Sequence, residues 1–262
     1  MADLSMERLE ELVGPRVRFY PRIDSTNRVG AEWAREGAPS GSLVVADHQT
    51  AGRGRLGRSW FSLPGSSLLF SLIVRPPASF AGLALINLAA AVAVAGGIST
   101  MLPEVGLEPA VRWPNDVLLS GRKVSGILSE VEAEVEVEAG PGRASWVVLG
   151  VGINVNISRG DFPEELRWTA TSLAAEAGAS FDRAVLLDLV LDQFSSRLAE
   201  GLGDPRAILE AYRPLCETLG RRVRVETAGR TLEGMAVDLD PAGGLVLQGG
   251  EVVRSGDVFH LS

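Results

Sequence analysis

The sequence predicts an α+β protein: a larger domain of strands and helices followed by a small β-rich domain. Three observations carry this. Short, mainly apolar runs such as Leu43-Val44-Val45-Ala46 and Ser67–Val74 mark buried strands. Longer apolar-periodic stretches near 82–102 and 182–200 have the length and spacing of helices. Past Cys216 the texture changes to short strands punctuated by glycine over 220–262, the pattern of a small barrel. The expected boundary separates residues 1–218 from 219–262.

Each element has a local cause. Leu4, Leu9, Leu12 and Val13 form one apolar stripe, and Val17-Arg18-Phe19-Tyr20 follows as a strand. Asp24-Ser25-Thr26-Asn27 is a cluster of helix-capping residues ahead of a helix that ends at Gly37. Capping is the ordinary role of Ser25 and Thr26. The same hydroxyls at a helix N-terminus also suit a small polar head group. The stretch Val111-Arg112-Trp113-Pro114-Asn115-Asp116 reads as a strand ending in a proline-stiffened loop, whose Asn115 and Asp116 either cap the turn or face a ligand or its Mg²⁺. Val117-Leu118-Leu119, a Ser120-Gly121 turn and a strand from Lys123 read as a hairpin. Residues 131–138 alternate apolar and acidic side chains, as on a half-exposed strand, and Gly140-Pro141-Gly142 is a turn. The run from Trp146 to Asn156 is an apolar strand interrupted by Gly150 and Gly152, where glycine signals a bulge or a close approach. Asp182 caps the long helix after it, and Asp204-Pro205 opens another.

Composition narrows the function. With 46% hydrophobic and 22% charged residues in 262, the chain is long and apolar enough for a sizeable packed core. A single cysteine, Cys216, excludes an internal disulfide, and His48 and His260 alone argue against a histidine metal cluster. No basic start leads into an apolar run, so no secretory signal is read. The uncharged stretch 76–103 reads as a core helix and not a membrane span. A cytoplasmic protein without membrane attachment is expected.

The most distinctive stretch is Asp47-His48-Gln49-Thr50-Ala51-Gly52-Arg53-Gly54-Arg55-Leu56-Gly57-Arg58-Ser59-Trp60. Glycines let backbone amides approach an anion, and guanidinium forks match phosphate or carboxylate oxygens. The Gly52, Gly54, Gly57 spacing also fits a dinucleotide fingerprint. No helix start follows it, however, and no Asp or Glu occurs between Arg58 and Pro103. Walker and kinase patterns are absent. Net charge is −8, so this basic loop stands against the global sign and suits a small anion better than extended nucleic acid. Of 25 basic residues, 24 are arginine, and Lys123 is the one lysine. A compact ammonium there points to a place that a planar fork does not fit.

Taken in order, Asp24-Ser25-Thr26-Asn27, residues 49–60, Arg112-Trp113-Pro114-Asn115-Asp116, Arg122-Lys123-Val124-Ser125-Gly126-Ile127 and Gly150-Val151-Gly152-Ile153-Asn154 resemble the biotin protein ligases over roughly residues 20–260. The resemblance implies a mixed β-sheet flanked by helices, related to the class II aminoacyl-tRNA synthetase core, with an SH3-like C-terminal barrel. It implies a two-step reaction. Biotin and ATP, with Mg²⁺, give biotinyl-5′-AMP, and a lysine of a biotin carboxyl carrier domain of a carboxylase then takes the biotinyl group. Carried over position by position, Ser25, Thr26, Asn27, Gln49, Gly52, Arg53, Gly54, Arg55 and Lys123 surround biotin. Arg53, Arg55, Arg58, Trp60, Asn115, Asp116 and Asn154 line the nucleotide, and Lys123 and Arg53 carry the chemistry. No residue is assigned to a metal. Arg112 departs from the family, which more often has lysine there. The first 22 residues have no room for a DNA-binding domain, so no DNA partner is expected, and the oligomeric state, a homodimer included, stays open. Two rival readings are a lipoate or octanoate ligase on the same fold and a non-enzymatic nucleic-acid-binding module.

Overall fold

A computed structural model describes residues 3–77, 83–102, 106–133, 144–227 and 229–261. Its elements are α1 (Met6–Val13), β1 (Val17–Tyr20), α2 (Thr26–Arg35), β2 (Leu43–Ala46), β3 (Ser67–Val74) and α3 (Leu83–Met101). They continue with β4 (Ala110–Arg112), β5 (Asp116–Leu119), β6 (Arg122–Ala133), β7 (Ala144–Asn154), α4 (Leu173–Ala177), α5 (Arg183–Gly203) and α6 (Pro205–Tyr212). The C-terminal strands are β8 (Arg222–Glu226), β9 (Thr231–Leu239), β10 (Leu245–Leu247), β11 (Val252–Val253) and β12 (Asp257–His260). The expected turn at 140–142 and the end of the acidic strand at 134–138 lie outside the described residues. The chain divides into two compact units, 1–80 with 122–189, and 81–121 with 190–262.

In the first unit the strands follow the order β1-β2-β3-β7-β6. The β1–β2 pair is parallel and the others antiparallel, so the sheet is mixed. Every residue of β2 and β3 is buried, which is why these strands read as mainly apolar runs and not as alternation. Helix α2 covers β3 and β7, with Ala34, Ala38, Ile73, Trp146 and Val148 forming one buried cluster beneath it. A buried cation ties the end of β2 to the start of β3. Arg183, 2% exposed, donates to Asp3, to Asp47 Oδ1 (2.8 Å) and to the carbonyl of Ser67 (3.0 Å). Burial pushes the Asp3 carboxyl up, but its bonds to Arg183 outweigh that and hold it below the usual range.

In the second unit α3 is apolar on all sides, and over Ala84–Met101 it is long and apolar enough to cross a membrane. Its Leu85, Ile86, Leu88 and Ile98 are at most 1% exposed inside the protein, as for a core helix. The C-terminal strands form an antiparallel sheet in the order β11-β10-β9-β8-β12. Strand β12 is not visible in the sequence pattern, because Asp257-Val258-Phe259-His260 is too short to show alternation.

His260 in β12 gives this unit a pH response. Burial holds its pKa below 6.5, Glu217 pulling it up and Arg112 and Arg221 pushing it down. A histidine kept neutral by the fold stabilises above its unfolded pKa, and that contribution is lost as pH falls from about 6.5 through the lower folded value. Melting temperature is therefore expected to drop between pH 7 and 5 more steeply in the unaltered protein than in His260→Gln. Equal slopes would show that His260 is not the responsible group.

Candidate functional site

The site begins at the N-terminus of α2. Ser25 sits at the cap position in extended conformation, yet its side chain makes no capping bond, and the first turn carries no acidic residue. Thr26 is the first helical residue, so the capping role expected of these two hydroxyls is not what they do. An isolated parallel bridge pairs Ile23 with Gln49, reinforced by Thr50 N donating to Ile23 O (2.8 Å) and Ala51 N to Asp24 O (3.0 Å). This register sets Gln49 Oε1 to accept from both Thr26 N (2.7 Å) and Thr26 Oγ1 (3.0 Å). From β3, Ser71 Oγ lies 2.8 Å from Thr26 Oγ1 and 2.6 Å from Asn27 Oδ1. Asn27 Nδ2 donates to the carbonyl of Leu128 (3.1 Å). Ser25, Thr26 and Asn27 are all at most 5% exposed, so their orientation is set by hydrogen bonds in a low-dielectric setting.

Glycines then clear a strip of the sheet. Leu128 pairs with Gly150 and Gly126 with Gly152 across β6 and β7. Gly150 and Gly152, two residues apart, share one face at a separation of about 7 Å. A Cβ on Gly150 would lie 2.0 Å from Asn27 Oδ1. A Cβ on Gly126 or Gly152 would meet the Trp60 indole at 2.8 or 2.6 Å. The side chains of Asn27 and Trp60 thus rest on bare backbone at opposite ends of one strip. Lys123 joins the Trp60 end, its Nζ 5.7 Å from the ring centroid. Its backbone is pinned to the 169–171 segment by Lys123 N donating to Thr169 O (2.8 Å) and Thr171 N to Lys123 O (2.9 Å). One end of the strip therefore presents hydroxyl and amide groups, the other an indole and an ammonium.

The basic loop folds beside this strip as a tight hairpin. Arg53 bridges Ser59, Gly54 N donates to Arg58 O (2.7 Å), and Trp60 N donates to Gly52 O (2.9 Å). Gly52 thereby lies against both Trp60 and Gln49. Arg55 begins the 3₁₀ turn at the tip, where Leu56 takes a left-handed φ of 54° and is 62% exposed, and Arg58 ends it. Arg53 is tied to Glu130 of β6 (2.7 Å). Asn154, at the end of β7, donates from Nδ2 to Thr171 O (3.0 Å). Its Oδ1 and Trp60 Nε1 are buried polar atoms without a hydrogen-bond partner. Such atoms are costly unless something accepts or donates to them, so both are candidates to meet a ligand.

Asn115 and Asp116 belong to the second unit. There Trp113 is 2% exposed, the Trp113–Pro114 peptide is cis, and Arg112 pairs with Asp116 across the β4–β5 hairpin. Burial pushes the Cys216 thiol up, which is the wrong direction for a nucleophile. Among the described residues no group of three or more His, Cys, Asp or Glu could hold a metal ion.

The sequence reading missed Ser71, Gly126 and Glu130. Ser71 had a signal: it is a hydroxyl in the middle of a wholly buried apolar strand, where a polar group must have a partner. Glu130 stands just before the acidic alternation of 131–138 and belongs to none of the motifs quoted above.

Comparison with known proteins places this geometry in context. The Biotin/lipoate A/B protein ligase family matches residues 19–154, and the Biotin protein ligase C terminal domain matches residues 218–261. The Bifunctional ligase/repressor BirA of Bacillus subtilis is 37% identical over 93% of this chain and 73% of its own length. The Biotin--[acetyl-CoA-carboxylase] ligase of Mycobacterium tuberculosis is 37% identical over 90% of this chain and 86% of its own. Among solved structures, the biotin protein ligase from Aquifex aeolicus in complex with biotin and ATP superposes with a TM-score of 0.76 at 29% identity, covering 94% of this chain and 98% of that one.

Proposed function

The chain belongs to the biotin/lipoate A/B protein ligase family, and from that premise we propose that it is an ATP-dependent biotin–[biotin carboxyl carrier protein] ligase. The observation that carries the reading is the strip over Gly150, Gly152 and Gly126, polar at one end and cationic at the other. Biotin has a ureido head and a carboxylate tail, and the strip presents matching chemistry in that order. Ser25, Thr26 and Gln49 take the head, with Asn27 fixing the floor beside them. Lys123 meets the carboxylate.

In the first step a carboxylate oxygen attacks the α-phosphorus of ATP. A P–O bond forms, the bond to the β-phosphate bridge breaks, and pyrophosphate leaves with the electron pair. Two anions must be brought together, so the site has to screen their repulsion. Lys123 can do this as a compact ammonium touching oxygens of both groups. Arg53, Arg55 and Arg58 supply further cations, and Gly52 and Gly54 let the loop lie close over the adenylate and exclude water. Trp60 serves as an apolar face toward the nucleotide, while Asn154, Asn115 and Asp116 serve its polar groups. In the second step an uncharged lysine amine of the carrier attacks the acyl carbon and AMP leaves. No side chain of the enzyme becomes covalently attached, in keeping with the unactivated Cys216. Mg²⁺ would arrive with the triphosphate. The described residues form no carboxylate cluster for it, and no step above depends on one. We assign catalysis to residues 1–218 and a supporting role to 219–262.

The test is ATP–pyrophosphate exchange with biotin, lipoate and octanoate compared side by side. Exchange should depend on biotin. Equal or greater exchange with lipoate would overturn the biotin assignment.

A further inference from the structure

Within the second unit, the stretch Arg112 to Asp116 is fastened to residues that no motif singles out. Val111 bridges Cys216, and Glu217 N donates to Val111 O (3.0 Å). Trp113 N donates to Thr218 Oγ1 (3.1 Å), and its indole Nε1 donates to the carbonyl of Gly243 (2.9 Å). Arg112 reaches Glu217 Oε1 with both Nε and Nη2, each at 2.8 Å. Gly243 is itself held in the turn between β9 and β10. Its N–H donates to Asp240 O (2.9 Å), while Asp240 Oδ1 accepts from Ala242 N (3.0 Å) and Gly244 N (2.7 Å). The β4–β5 connection is therefore gripped from two sides, by the 216–218 segment and by a rigid turn of the C-terminal sheet.

We propose that Glu217 and Thr218 are positioning residues for the nucleotide step: with the Gly243 carbonyl they clamp Arg112 and Trp113, so that Asn115 and Asp116 are presented in one fixed geometry. The C-terminal sheet then serves catalysis through this clamp. The inference rests on the ligase reading, in which Asn115 and Asp116 serve the nucleotide.

Energetics separates this role from a merely structural one. A partly exposed ion pair such as Arg112–Glu217 adds little to global stability. Reaction geometry is far less forgiving, since a displacement of about 1 Å costs on the order of 100-fold in rate. The Arg112–Glu217 half of the clamp should therefore show itself in ATP kinetics and not in melting temperature.

The experiment uses the full chain with Glu217→Gln, Thr218→Val and Glu217→Asp, together with Arg112→Gln alone and combined with Glu217→Gln. It reads pyrophosphate-exchange kcat and KM for ATP, equilibrium biotin binding, and melting temperature. Glu217→Gln and Thr218→Val should each lower kcat/KM for ATP by about 10-fold or more, part of the penalty that a misplacement of about 1 Å carries. Biotin affinity should stay within about twofold in both, and Glu217→Gln should melt close to the unaltered protein, whereas Thr218→Val, which takes the acceptor from the buried Trp113 N–H, should melt lower. Glu217→Asp should recover part of the loss, and the double variant should be no worse than the poorer single one, because both remove one interaction. Unchanged ATP kinetics in folded Glu217→Gln and Thr218→Val would overturn the clamp. So would a parallel fall in biotin affinity, which marks general loosening. Absence of biotin-dependent exchange in the unaltered protein would instead overturn the ligase reading beneath it.

Discussion

Replacing Gly150 with alanine should abolish biotin binding and cost several kcal/mol of stability. The added methyl would lie 2.0 Å from Asn27 Oδ1, and Asn27 has little freedom to move aside. Its amide is held by the Leu128 carbonyl at 3.1 Å and by Ser71 at 2.6 Å. Forcing it out leaves Ser71 and the Leu128 carbonyl short of a partner in a buried setting, at about 1–3 kcal/mol. Overpacking of the sheet against α2 adds about 1–3 kcal/mol more. Because Asn27 follows Thr26 in the first turn of α2, displacing it also moves the Thr26–Gln49 contact. Thermal melting and biotin titration of Gly150→Ala measure the two effects. The double variant Gly150→Ala with Asn27→Gly, which removes the colliding side chain, should regain much of the stability while binding biotin poorly. A single variant with unaltered melting and affinity would mean that Asn27 does not rest on this glycine.

The second large effect is expected at Lys123. Lys123→Arg keeps the charge, yet it should lose most adenylation activity, on the order of 100-fold for a displacement of about 1 Å. The space is tight: the side chain reaches within 3.2 Å of where a Cβ on Gly126 would lie, beside the Trp60 ring. A guanidinium is bulkier, and its donors point along fixed directions. Arg112→Lys should be far milder, because an ammonium can still pair with Glu217. Single-turnover formation of biotinyl-AMP by both variants, with melting curves as controls, decides the matter. Near-normal Lys123→Arg together with inactive Arg112→Lys would reverse the two roles.

Much of the architecture was legible because burial writes itself into composition. Strand β3 has no exposed residue and spells Ser-Leu-Leu-Phe-Ser-Leu-Ile-Val, and α3 is apolar on every side because it is surrounded. The bends were legible where glycine or proline is obligatory. Long-range pairing was not. The two glycines of β7 announced a close approach, but nothing near them in sequence names Asn27 or Trp60 as what approaches. Ser25 and Thr26 looked like caps because local chemistry favours that use. Only the register of Ile23 against Gln49 shows Thr26 bonded elsewhere. Glu217 was illegible for the same reason: it follows a lone cysteine, belongs to no motif, and acquires its meaning from Arg112, 105 residues earlier.

The bare strip over Gly126, Gly150 and Gly152 bears on how such a protein can change over generations. A glycine can vary in one direction only, by gaining a side chain. On this strip every gain runs into Asn27 or Trp60, at 2.0 to 2.8 Å. The floor is therefore closed to gradual adjustment, and heritable variation in what the strip accepts has to enter at its rim, through Thr26, Gln49, Trp60 and Lys123. A laboratory search for altered substrate preference would do best to leave the three glycines fixed and randomise those four positions.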